Sequence, residues 1–255
     1  MAETLKTGGK NPFPPGSAET TSILAGAGQP VLPGSSASSR IYSDMRKRII
    51  DLELRPDTTI SRTDLTRYFG VSQTPVREAL QQLEQDGLVR IYPQSKTIVA
   101  RIDERQMQET QFLRVALETE VVRKVTERRD EAVIQRARSL VKLQRTLLND
   151  PSQLQMFHDL DKAFHANFFE AVGMQGLHTV LLRRLGHLAR CQRLELPREG
   201  KMASIVKWHT AIVEGIASGD PEAAAVAMRK HITGTITRIP QLRAEFPDYF
   251  ENNAG

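Results

Sequence analysis

The chain has 255 residues, of which 40% are hydrophobic and only 5% aromatic, and a formal charge of +5. A single cysteine, Cys191, excludes an intrachain disulfide framework and a cysteine-rich zinc module. No apolar run nears the roughly 20 residues that span a bilayer, and no hydrophobic signal segment stands near the start. A cytoplasmic protein without membrane association is predicted, and the mild basicity permits nucleic-acid binding without arguing for it.

Residues 1–39 are rich in Gly, Pro, Ser, Ala and Thr and lack periodicity, so a disordered tail is expected there. From Arg40 the character changes. Ile41, Met45, Ile49 and Leu52 recur at helical spacing, and Pro56 closes that helix. A short second helix is predicted over 62–69, with Leu65, Tyr68 and Phe69 apolar. A third opens at Ser72, a residue suited to the N-cap, with Pro75 in the first turn where a missing N–H costs little. Val76, Ala79, Leu80 and Leu83 form its buried stripe, and Gly87 supplies the left-handed residue that stops it. Its other face presents Gln73, Thr74, Arg77 and Gln81, polar and none acidic. Residues 88–91 and 97–100 read as two short strands around a loop carrying Lys96. Three helices and a small hairpin make a winged helix-turn-helix over residues 40–101.

The run from Gly70 to Leu80, followed by Leu83-Glu84-Gln85-Asp86-Gly87-Leu88-Val89, resembles the GntR family of bacterial transcription factors. The resemblance implies that the helix opening at Ser72 enters the major groove. It assigns DNA contacts to Ser72, Gln73, Thr74, Pro75 and Arg77, with Lys96 on the wing. Short hydroxyls and N–H groups at a helix start bind phosphate, while Arg and Gln forks read bases. Gln73 departs from the Arg common at its position, and the wing tip lacks the usual Gly. An ordinary solvated helix face is the plain alternative.

Residues 102–246 read as an all-α bundle of six helices: 104–128, 130–148, 152–172, 175–193, 199–218 and 220–238, with 247–255 as a C-terminal tail. The third carries Phe157, Leu160, Phe164, Phe168 and Val172 as its apolar stripe, and Asp161 and His165 fall within it, one turn apart. His209 sits amid Met202, Ile205, Ile212, Val213 and Ile216 on the fifth; His231 lies on the inward side of the sixth with Ala224, Ala227 and Met228. Four ionisable groups from three helices thus face one interior. A buried carboxylate is costly unless paired or metal-bound, and neutral imidazole is the commonest metal ligand. Asp161, His165, His209 and His231 suit a divalent ion, zinc first, with nickel or manganese as alternatives.

This second half resembles the FCD effector domain of the FadR subgroup, whose metal-binding members share the Asp-x-x-x-His pair and two later histidines at this spacing. The resemblance implies a metal at the base of a pocket where a small organic acid completes the coordination. Arg114, one turn before Glu118, matches the start of that domain; it would clamp the carboxylate, or simply pair with Glu118. Arg184, in the stripe of Leu177, Val180, Leu181 and Leu188, is a second candidate anion contact. His158, His178 and His187 are expected at the surface.

Together these readings predict a homodimeric repressor, not an enzyme, that binds double-stranded DNA at an inverted repeat and answers to a small carboxylate. Two rivals remain at this stage. A metalloenzyme would need an acid or base beside the metal, and the neighbouring stripes offer no surplus buried carboxylate. A purely structural metal would stabilise the bundle and sense nothing.

Overall fold

The computed structural model describes residues 35–148 and 150–252. For residues 1–34 the expected disordered tail lies outside the described residues. The helical start lies earlier than expected. Ser36 accepts the N–H of Ser39 and caps α1 (Ala37–Ile50), three residues before Arg40. Leu52 belongs to the turn after α1, with a positive φ of 62°, and is buried outside the helical stripe.

A two-residue strand β1 (Thr59–Ile60) follows, then α2 (Arg62–Phe69), capped by Ser61, and α3 (Gln73–Gln85). β2 (Val89–Ile91) and β3 (Thr97–Val99) form the wing. The sheet has three strands rather than the hairpin expected, in the antiparallel order β1-β3-β2, with Ile60 opposite Thr97 and Ile91 opposite Thr97 on the other side. Ile41, Met45, Ile49, Leu65, Val76, Leu80, Leu83 and Val99 close one core beneath these elements.

The second domain is helical throughout. α4 (Glu104–Arg128) starts on the cap of Asp103, and α5 (Glu131–Thr146) on that of Asp130. α6 (Leu154–Ala171) follows a 3₁₀ turn at Pro151–Gln153. The segment expected as one helix from 175 to 193 is two, α7 (Gln175–Arg184) and α8 (Gly186–Glu195), parted at Leu185. Gly186 lets α8 approach the first domain closely: a Cβ there would lie 2.6 Å from Cδ2 of Leu88, just past α3. α9 (Lys201–Ser218) and α10 (Pro221–Thr233) complete the bundle. They approach closely because Gly215 lacks a side chain; its Cβ would sit 2.6 Å from the Ala224 amide nitrogen. Gly215→Ala is therefore expected to lower stability by about 1–3 kcal/mol despite its better helix propensity, read from chemical denaturation.

The end of the chain is integrated more firmly than a tail. α11 (Ile239–Glu245) and a 3₁₀ turn at Pro247–Tyr249 bring Phe250 beside Ile102 as a parallel bridge. The Ile102 amide donates to Tyr249 O at 2.7 Å, the Glu251 amide to Ile102 O at 3.0 Å, and Arg90 of the wing pairs with Glu251. Leu52, Ile102, Met107, Leu188 and Phe250 fill a small core at the junction of the two halves.

A second fastening lies beside it. Arg190 is fully buried and donates to Ala100 O at 2.6 Å and to His187 Nδ1 at 2.8 Å. His187 Nδ1 also accepts the Asp103 amide at 3.1 Å. Burial, reinforced by the charge of Arg190, pushes the His187 pKa down to about 3, so it serves as a neutral acceptor. His187 was expected at the surface and is 2% exposed instead. It lies on the turn of α8 that meets Gly87 and Leu88, a tertiary contact no local spacing encodes.

Candidate metal centre and nucleic-acid interface

α6 places Asp161 and His165 one turn apart, α9 contributes His209 and α10 His231. One donor atom from each lies within 4.8 Å of the others. The spacing argument from sequence thus meets a real cluster. His165 Nε2 and His231 Nε2 are 3.1 Å apart, His209 Nε2 and His231 Nε2 3.2 Å, and His209 Nε2 lies 3.4 Å from Asp161 Oδ1.

The outer nitrogens fix which inner ones carry protons. His165 Nδ1 lies 2.5 Å from Glu118 Oε2, a separation that requires a proton between them. His209 Nδ1 meets Gln144 Oε1 at 2.7 Å, and an amide oxygen can only accept. With their Nδ1 protons held outward, His165 and His209 both present Nε2 lone pairs inward in their neutral, metal-binding forms. A proton on His231 Nε2 can point at one of those nitrogens but not both. One pair of lone pairs is left facing at close range, an arrangement a cation would relieve. The donor set of three imidazoles and a carboxylate fits a divalent ion.

The electrostatics make His165 the member of the cluster that most favours a proton in the absence of a cation. Burial works against a charged imidazole at His165, yet the Glu118 carboxylate outweighs it and raises the pKa. Burial, then the neighbouring His165, lowers His209 well below its ordinary value; burial and then His209 do the same for His231. Burial acts to raise Glu118 too, but Arg114 and His165 prevail and hold it far below the usual carboxylate range.

Glu118 and Gln144 went unread as parts of the site. Gln144, fully buried, continues the stripe of Ile134, Ala137 and Val141 on α5, and a polar residue in a buried stripe was the available signal. Glu118 corrects the expectation that no further buried carboxylate lies near the cluster. It is 2% exposed, but one oxygen takes Arg114 Nε at 2.7 Å and the other faces His165, so it offers neither a mobile proton nor a free base.

Two small cavities flank the cluster. One, of about 40 Å³, is bounded by Arg114, Asp161, His231, Gln192, Arg193 and Lys201. The other, of about 80 Å³, is bounded by Arg114, Asp161, His165 and His178, and by Arg46 and Ile50 of α1. Arg114 thus pairs with Glu118 and lines both cavities, so the two sequence alternatives hold together. Arg184 is exposed and lines neither, and Leu177 and Val180 of the same stripe are exposed as well. His158 borders both cavities and His178 the larger one, rather than open surface.

In the first domain, Ser72, Gln73, Thr74, Arg77 and Lys96 are exposed, and Pro75 is half-buried in the first turn of α3. Ser72 occupies the cap position without making a cap hydrogen bond. The first turn of α3 is therefore left with its amides directed outward, as a phosphate would require. The wing tip turns at Gln94, whose φ of 54° takes the place of the glycine often found there, and Lys96 Nζ lies 5.7 Å from the Tyr92 ring centre.

A winged helix with an open helix face, mounted on a helical bundle whose apolar core encloses one Asp/His cluster, is the arrangement of a DNA-binding transcription regulator. Residues 37–99 match the family described as bacterial regulatory proteins, gntR family, and residues 109–234 match the FCD domain. The chain is 34% identical over 215 residues to an uncharacterized HTH-type transcriptional regulator in an unstable DNA locus of Streptomyces ambofaciens, covering 84% of this chain and 89% of that one. The HTH-type transcriptional repressor RspR of Escherichia coli is 25% identical over 218 residues, covering 86% and 95%. Among solved structures, E. coli McbR/YncC superposes with a TM-score of 0.68 at 17% identity over 82% of this chain and 99% of its own. A regulator from Rhodococcus sp. RHA1 gives 0.63 at 21%, over 81% and 99%. The chain belongs to the GntR family of bacterial transcription regulators and carries an FCD domain. No described helix is long and apolar enough to cross a membrane.

Proposed function

We propose that this regulator is a cytoplasmic, homodimeric repressor of the FadR subgroup. Asp161, His165, His209 and His231 hold a divalent metal, zinc first, and a small organic acid binds beside it with Arg114. Ser72, Gln73, Thr74, Pro75, Arg77 and Lys96 meet an inverted-repeat operator. The observation that carries the metal reading is the convergence of four donors, two of which, His165 and His209, have their Nδ1 protons directed outward by Glu118 and Gln144. When bound, the ion supplies a positive centre for an acid oxygen; the chain's own residues fix the imidazoles and present the Arg114 guanidinium. The name of the E. coli relative favours repression.

Thermal shift of the purified protein, with and without zinc and with a panel of small organic acids, tests this directly. Stabilisation by an acid only in the presence of metal is expected. A shift from metal alone, with every acid silent, would favour a structural ion. For the DNA face, Arg77→Ala is expected to weaken operator binding by about 1–3 kcal/mol at each half-site, with metal content unchanged. Retained affinity in a mobility-shift titration would sink the α3 assignment.

A further inference from the structure

The two imidazoles whose outer nitrogens are held have partners of different kinds. Glu118, against His165, is pinned from behind: its other oxygen takes Arg114 Nε at 2.7 Å, and an ionised carboxylate can only accept. Gln144, against His209, is an amide with nothing behind it. Its Oε1 lies 2.7 Å from His209 Nδ1, while its Nε2 is buried without a hydrogen-bond partner among the described residues. Gln144 is fully buried on α5, so its orientation rests on one contact, the one with His209.

The oxygen and nitrogen of a side-chain amide have nearly the same shape, and a half-turn about the last bond exchanges an acceptor for a donor. With the oxygen on His209 Nδ1, that nitrogen carries the proton and Nε2 is bare, which is the form in the structure. With the amide nitrogen there instead, Nδ1 accepts and the proton sits on Nε2. The exchange conserves the number of protons. The ring has no need to move; it lies flat on Phe164, with centroids 3.8 Å apart and planes 11° from parallel.

We infer that Gln144 is a positioning residue that turns over with the metal, its oxygen toward His209 when an ion is held and its nitrogen toward His209 when the cluster is empty. The inference rests on the metal reading above. An ion requires a bare Nε2 on each imidazole that holds it. Without an ion, a proton on His209 Nε2 serves the cluster better, because Asp161 Oδ1 at 3.4 Å and His231 Nε2 at 3.2 Å can receive it. A lone pair that would otherwise face others at close range is then capped. No acceptor holds Gln144 Nε2 in its present place, so nothing is given up at the far end of the amide when it turns. Glu118, an acceptor on both oxygens, has no such freedom, and the two imidazoles answer metal loss differently.

The test is nitrogen NMR of isotopically labelled histidine rings in the full chain, metal-free and zinc-loaded, which separates protonated from bare ring nitrogens. In the wild type, His209 is expected to carry its proton on Nε2 without metal and on Nδ1 with zinc. Gln144→Met, which keeps the length and removes both hydrogen-bonding ends, is expected to weaken zinc binding about tenfold or more in competition with a zinc-binding dye. Gln144→Glu, which restores an acceptor, is expected to recover that loss. If metal-free His209 already carries its proton on Nδ1, or if Gln144→Met binds zinc as the wild type does, the inference is wrong and the four-ligand site stands. A loss in Gln144→Met that Gln144→Glu leaves in place overturns it as well. If the wild type binds no zinc at all, the metal reading fails and takes this inference with it. The wild-type comparison needs no substitution, so it decides even where a variant does not fold.

Discussion

Glu118→Ala is expected to destabilise the protein by about 3–5 kcal/mol, because it strands two groups at once. Arg114, 5% exposed, would keep its charge in the interior with no carboxylate beside it. His165 would lose the acceptor that holds its proton on Nδ1 and leaves Nε2 bare. A second effect follows from the first: removing an outer partner of a metal-binding histidine typically lowers metal affinity about 10–100-fold. The carboxyl is held far below the usual range by Arg114 and His165, so its contribution is fully present at neutral pH and is lost only as strong acid protonates it. Urea denaturation at neutral pH gives the first number and competition with a zinc-binding dye the second. Wild-type stability would mean that Arg114 finds solvent in the folded protein, contrary to its burial.

His209→Ala is expected to have the largest effect on metal content, exceeding the roughly 100-fold that loss of an outer partner brings. It removes the donor nearest Asp161 and leaves Gln144 without the N–H it accepts. Loss of the ring also opens space against Phe164, on which it stacks at 3.8 Å between centroids. The effector response is expected to vanish with the metal, while operator affinity of the metal-free protein stays unchanged. Metal analysis after dialysis, paired with a mobility shift, reads both. Unaltered zinc content would show that the cluster is not the binding site.

Much of this architecture was legible because helices announce themselves by spacing. The run from Val76 to Leu83 locates α3, and Asp161 and His165 share a face whatever the surrounding fold. What sequence alone concealed depends on contacts between distant segments. β1 is two residues long and gains its identity only by pairing with β3. The division between α7 and α8 at Leu185 interrupts a periodicity that reads as one helix, and Arg184, which that periodicity made a candidate anion contact, is exposed. Arg193, on the same segment, borders the smaller cavity beside the cluster, a placement the stripe of Leu177, Val180, Leu181 and Leu188 did not give. Glu118 was visible as half of an i, i+4 pair, but its second oxygen reaches a histidine on another helix.

The bridge between Ile102 and Phe250 bears on how the protein comes into being on the ribosome. The wing and the strand leading to Ile102 leave the exit tunnel early, and Phe250 follows many seconds later at ordinary elongation rates. Throughout that interval the DNA-reading head has its own core of Ile41, Met45, Leu65 and Leu83 and can fold, but its anchorage at the junction is unfinished. The α1 contacts to α7 and α8 likewise wait for those helices to be made. A nascent chain could therefore complete the fold around α3 before the junction between its two halves is closed, and that junction closes only as Tyr249 and Phe250 meet Ile102.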